Sequence, residues 1–358
     1  MRLQKNSIAA CIALSILVGC GTDDVTGVPV DLGSIEVSAL DGPVPVPAEG
    51  ETQVVYEIKV FNPAGNASVR LAGLTVTDGS DLVASYSGGD LQQILSAPDL
   101  EVLPENGRLI YLWLSFPAGQ VPATLTNTVA FANTEETRRV VVDVVSRELT
   151  AVGSPLEGDG WVAANIGNDA GHRRAVFGAP EELRLPQRFA IDWVRIAEDG
   201  NTHVGDRLEN RNYHAYGEPL LAVADGRVVL VQDGVPDNVP GSRAVEITLD
   251  NIGGNTVTLE LGDATEVFYA HMIPGSIRVS PGDMVQVGDT LGLLGNSGNS
   301  DEPHLHIHFA QVYDFANSGM NADGLPFVFE SFEIRANRPV LGMRFGEMPL
   351  NEAIVRFN

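Results

Sequence analysis

Pro303-His304-Leu305-His306-Ile307-His308-Phe309 alternates strictly between imidazole and apolar side chains. In a β-strand that parity sends Leu305, Ile307 and Phe309 to one face and the three histidines to the other. Histidines two apart on a strand stand about 6.6 Å from one another, so one can ligate a metal while its neighbour reaches a substrate beside it. Only seven histidines exist in the 358 residues, so three on one face is a chemical signal rather than composition. Pro303 holds Glu302 extended, and Gly295-Asn296-Ser297-Gly298-Asn299-Ser300 supplies the turn that introduces the strand.

Outward from this run the chain reads as all-β. Val279, Gly282, Val285, Gly288 and Gly292 fit a strand, turn, strand pattern. Similar spacing occurs in lipoyl and biotinyl carriers, but those need a modifiable lysine at the hairpin tip and none is present there. Upstream, Val54 to Phe61 alternates and ends in a turn at Asn62 to Gly65, and Ile35 to Val37, Leu71 to Val76, Leu109 to Phe116 and Val140 to Val145 repeat the pattern. Residues 32–147 are therefore expected to form an immunoglobulin-like β-sandwich, without the cysteine pair of antibody domains and with one short helix at Leu91, Ile94 and Leu95. No catalytic constellation stands out there, which makes it a spacer or binding module. Residues 148–186, rich in Gly, Asn and Asp, read as a connector and lead-in, 187–331 as the second domain, and 332–358 as a C-terminal extension.

The amino terminus carries Arg2 and Lys5, an uncharged apolar run from Ile8 to Val18, and then Gly19 and Cys20. That is a secretory signal over 1–19, too short for a stable membrane span. Leu17-Val18-Gly19-Cys20 resembles a lipoprotein lipobox, which implies acylation of Cys20, a tether over 20–31, and an exported protein of the cell envelope. Gly21 after the cysteine favours the outer membrane. Cys11 would leave with the signal, so no disulfide or thiolate metal site is available, and any metal must use His and carboxylates. Removing Arg2 and Lys5 from the 22 basic residues leaves 20 against 47 acidic, a charge of −27 that excludes nucleic-acid binding through a basic surface.

Four elements in order carry a family resemblance. The Gly295 to Ser300 turn leading into Pro303 to His306 resembles the terminal motif of the lysostaphin and LytM-type peptidases, family twenty-three of the metallopeptidases; Tyr269-Ala270-His271-Met272 resembles their Tyr-x-His-Leu element; Gly217 to Ala222 with Asp225 and Gly226 resembles their glycine-turn segment. Phe189-Ala190-Ile191-Asp192 lies where their His-x-x-x-Asp motif belongs. The resemblance implies an antiparallel LytM-type sheet of duplicated hybrid-motif kind, and a single zinc ion held by Asp192 and His306. It implies His304 and His271 as the catalytic histidines that activate water and stabilise the oxyanion, with peptide bonds of peptidoglycan as substrate.

One residue departs from the motif. Arg188 stands where the pattern asks for His, and a guanidinium has no lone pair to give a metal. His308, on the imidazole face, is the expected third ligand; His214, near the Gly217 turn, and His172, before the first motif, are the other available imidazoles, and His203 completes the inventory. If none serves, Arg188 pairs with Asp192 across a metal-free groove, and the protein binds peptidoglycan or activates a partner envelope hydrolase instead of cutting.

Overall fold

In the strand Leu305–Val312, every side chain except the half-buried Gln311 is buried. It pairs with Ile191–Arg195 along one edge and with Thr265–Met272 along the other, both antiparallel, which makes it an interior strand of its sheet. The computed structural model describes residues 32–168, 171–178, 183–262, 264–312, 322–336 and 340–358; the expected signal, Cys20 and the tether lie outside them.

The central strand belongs to a 12-stranded sheet whose path runs Thr150–Val152, Phe327–Ala336, Ile354–Phe357, Gly158–Ala164, Ile191–Arg195, Leu305–Val312, Thr265–Met272, Asn255–Gly262, Gly226–Gln232 and Met284–Val285. Register aligns Asp192 with His306 and Ala270 with His306, so the aspartate and the imidazole face meet in mid-sheet. The opposite parity, Leu305, Ile307 and Phe309, enters a core with Trp161, Trp193, Tyr269, Phe327, Phe329 and Phe357. Aromatic residues lock this core edge to face, Trp193 lying 5.1 Å from Phe357 between ring centroids.

The chain is all-β, as expected, with the short helix Gly88–Gln93 placing Leu91 inward and Ile94 and Leu95 buried after it. Residues 36–143 form two packed sheets. One pairs Glu51–Asn62 with Glu36–Ala39, Pro45–Ala48 and Asn106–Pro117; the other runs Asp81–Ser87, Val69–Asp78, Thr124–Phe131 and Thr137–Asp143. Two expected boundaries change. The stretch read as a connector supplies Thr150–Val152 and Gly158–Ala164, and the stretch read as an extension supplies the second half of Phe327–Ala336, with Gly342–Glu347 and Ile354–Phe357, all to the same large sheet. Their glycines and acids sit at strand ends and on the wet face, while Trp161, Ala163, Val355 and Phe357 point into the core. The sandwich shares that core too, through Val46, Ala48, Val55 and Trp113.

Within this sheet Glu266 stands directly across from Glu260 and is 5% exposed. Burial and the facing carboxylate push its acid up to about 7. A folded-state value above the unfolded one means that the folded chain resists ionisation, so the cost is absent below about pH 4.5, grows through the range to 7 and is complete above it. Glu266→Gln is therefore expected to stabilise the fold at pH 8 by on the order of 1–2 kcal/mol, less than the full shift implies because solvent screens the charge. Thermal melts in chelator should show a larger gain at pH 8 than at pH 5; an equal gain at both would refute the assignment.

Candidate metal centre

Five ring or carboxylate groups converge on the wet face of the three central strands. Asp192 is the second residue of Ile191–Arg195, His306 and His308 are on Leu305–Val312, His304 immediately precedes that strand, and His271 is near the end of Thr265–Met272. The fifth imidazole near Asp192 comes from elsewhere: His172 opens a single 3-10 turn, His172–Arg174, twenty residues before it. His172, Asp192 and His306 each offer one ligand atom, and these lie within 4.8 Å of one another, the one such group among the described residues. Two imidazole nitrogens and a carboxylate oxygen at that spacing match the donor set of a catalytic zinc site, which keeps a further position open.

Asp192 makes the centre of the array. Its Oδ2 lies 2.8 Å from His172 Nε2 and accepts from Asn165 Nδ2, while its Oδ1 lies 2.9 Å from His306 Nδ1 and 3.6 Å from His304 Nε2. Burial would raise its acid, but the neighbouring imidazoles outweigh that and hold it well below the usual carboxylate range. Burial, with His172 nearby, pushes His306 down to about 4, and burial, with His306 nearby, pushes His308 well below its ordinary value. Both rings are thus neutral and able to present lone pairs.

A second layer orients each ligand. His172 Nδ1 donates to Gln187 Oε1 at 2.9 Å, which leaves Nε2 to face the centre. His306 Nε2 lies 2.9 Å from His308 Nδ1, so with His306 donating, its Nδ1 lone pair points at the centre. The expected ligand His308 therefore stands behind His306, outside the group of three ligand atoms. On a flat face the next residue of the same parity lies farther along the strand, and here the centre sits on the His304 side of His306. The third member of the group is His172; His203 and His214 lie outside it, His203 stacking near Tyr213 at 5.1 Å and the His214 backbone bonding to Thr202.

Arg188 is also corrected. It does not pair with Asp192; it binds Glu57 at 2.8 Å and Asp41 at 3.1 Å, both in the first 60 residues. The guanidinium is drawn to carboxylates of the sandwich and away from a centre already crowded with imidazoles.

The two remaining histidines flank the donor set, their ring centroids 4.7 Å apart. His304 Nδ1 donates to Glu302 O at 2.8 Å, leaving Nε2 free as a proton acceptor. His271 Nδ1 donates to Ser297 O at 2.7 Å, and burial, with His304 and His306 nearby, holds its ring well below the usual value. Its backbone is left-handed, φ +66, at the close of its strand. The glycine turn explains how this is held: Gly295 N donates to His271 O, and a Cβ at Gly295 would lie 2.5 Å from Ile273 N, so no side chain fits. Gln187, Asn165 and Ser297 were not legible as site residues, because a second layer has no residue type or spacing of its own.

A β-sheet carrying a His-Asp-His donor set between two further imidazoles is a metallopeptidase-type site. Residues 212–318 match the model of Peptidase family M23, so this part of the chain is a domain of the lysostaphin and LytM type. The match includes His271, His304 and His306, while Asp192 and His172 lie upstream of it. Endolysin 2638A of Staphylococcus phage 2638A is 31% identical over 134 residues, 33% of this chain and 27% of the relative. Cell division protein DipM of Caulobacter vibrioides is 29% identical over 113 residues, 31% of this chain and 16% of the relative. The chain thus spans well under half the length of either. Among solved structures, the catalytic domain of the prophage-encoded M23 protein EnpA from Enterococcus faecalis aligns at 22% identity and TM-score 0.28, covering 48% of this chain and 92% of that one.

Removing a ligand should cost more than removing its support. His172→Ala is expected to weaken zinc binding at least ~100-fold, and His308→Ala by ~10–100-fold. Chelator competition reads both, and an unchanged affinity in His172→Ala would remove that residue from the donor set.

Proposed function

We propose that the protein is a zinc-dependent endopeptidase of the cell envelope, anchored through lipid on Cys20, that hydrolyses peptide bonds in peptidoglycan. The observation that carries this reading is the complete donor set His172, Asp192 and His306 with His304 and His271 beside it. The matched relatives, an endolysin and a cell division protein, favour the wall as the place of action. Zinc, when bound, supplies Lewis acidity that polarises a carbonyl and makes water nucleophilic near neutral pH.

The rest of the chemistry belongs to the side chains. His304, with Nδ1 committed to Glu302 O, takes the proton of the attacking water at Nε2 and returns it to the leaving amine. His271, with Nδ1 committed to Ser297 O, stays neutral and presents an acceptor at Nε2 that holds the attacking water in place. The proton that His304 takes makes its Nε2 a hydrogen-bond donor for the developing oxyanion until it passes to the leaving amine. The alternative, a degenerate domain that binds the wall or activates a partner hydrolase, rests on Arg188 in the motif; the group formed by His172, Asp192 and His306 favours the enzyme reading over it.

Protein purified without residues 1–19 should bind one zinc and cleave muropeptides. His304→Ala should lower the rate by ~100-fold or more without unfolding the chain, and a chelator should abolish cleavage until zinc is restored. Folded protein that holds no zinc and leaves muropeptides intact sinks the proposal. In cells, labelled palmitate should enter the full-length protein and fail to enter Cys20→Ser; labelling of both would refute the anchor.

A further inference from the structure

We infer that Glu57, on the strand Glu51–Asn62 of the sandwich, is a positioning residue for the ligand His172, which makes the N-terminal half part of the metal centre and not a spacer. The inference rests on the reading of His172 as a ligand.

The turn that carries His172 cannot hold itself. A three-residue 3-10 turn has too few internal hydrogen bonds to persist alone, so its geometry must come from what it is fastened to. The two residues after the histidine do the fastening. Arg173 is 1% exposed; its Nε and Nη2 donate to Glu57 Oε1 at 3.2 and 2.8 Å, and Nη2 also donates to Tyr56 O at 3.0 Å and Leu112 O at 2.9 Å. The guanidinium lies over the rings of Tyr111 and Trp113. Arg174 donates to the carbonyls of Leu95 and Gln93 and lies over Tyr111 from its own side. These partners belong to the sandwich, and both guanidiniums also donate to Asn168, four residues before the turn. His172 points the other way, into the donor set.

Glu57 also ties down the second segment the ligand needs. Its Oε2 is 2.8 Å from Arg188 Nη2, and Arg188 directly follows Gln187, whose side chain orients His172 Nδ1, and precedes Asp192 by four residues. One carboxylate, 0% exposed, thus sets the distance between the turn bearing His172 and the segment bearing its orienting partner and Asp192. Arg188 at the place of the motif histidine is then intelligible: that position is occupied by the domain joint, and the ligand has moved to the turn that the same joint holds. Losing a support of this kind typically costs ~10–100-fold in metal affinity, since the ligand must then be ordered by the metal itself.

Cobalt(II) titration followed by visible absorption, on the chain without residues 1–19, separates positioning from general stabilisation. In Glu57→Gln with an unchanged far-ultraviolet spectrum, cobalt affinity is expected to fall ~10–100-fold, and the same substitution in a His172→Ala background should add no further loss, because the route through His172 is already gone. Folded Glu57→Gln with wild-type affinity and spectrum overturns the inference. Should Glu57→Gln fail to fold, Arg173→Lys and Arg188→Lys, each of which keeps the charge and loses the fork, carry the test: weakened binding in both upholds the inference, and wild-type affinity in either overturns it. Wild-type protein whose cobalt binding is absent or indifferent to His172→Ala overturns the ligand reading itself, and the inference with it, a result distinct from normal wild-type binding left untouched by Glu57→Gln.

Discussion

A carboxylate with no exposure to solvent, held between two guanidinium groups, fixes how the halves of this chain meet. Burial alone would raise the acid of Glu57, yet Arg188 and Arg173 outweigh it and keep the group ionised. Such a cluster is weak evidence of net stability, because desolvating three charges cancels most of their attraction. Its value is geometric. Arg173 and Arg188 reach Glu57 from segments 15 residues apart in sequence, and one carboxylate answers both charges. The turn that bears His172 and the residue before Arg188, Gln187, which orients it, are both tied to this contact.

The central strands need no such help. Register alone sets Asp192 beside His306, and the sheet buries both. What remains is to choose which nitrogen of each ring faces inward, and the second layer does that with acceptors: Glu302 O behind His304, Ser297 O behind His271, Gln187 behind His172. These acceptors are carbonyl oxygens, which cannot be protonated at working pH and so impose one tautomer. The site is organised from its periphery.

Much of this was legible in the residues. The alternation from Leu305 to Phe309 fixes a strand with two unlike faces, and Asp192, His271, His304 and His306, which the family resemblance singles out, stand together at one place. Three features were not legible, for separate reasons. His172 lies on a turn whose position depends on a contact with residue 57, more than a hundred positions away, and no local pattern records that. His308 shares the parity of His306, but parity gives a face and not a distance along it, so a supporting ring and a ligand look alike. The strands Thr150–Val152 and Gly158–Ala164 are short, with polar ends, and pair with partners far downstream, so their glycines read as loop.

That last pairing bears on how the molecule is made. Gly158–Ala164 is held on one side by Ile191–Arg195 and on the other by Ile354–Phe357. A chain made from its amino end exposes the first strand long before the last one is made, and its unpaired backbone edge waits through all the intervening sequence. The ladder on the far edge of Gly158–Ala164, one strand removed from Asp192, is therefore closed only by the last residues of the sheet.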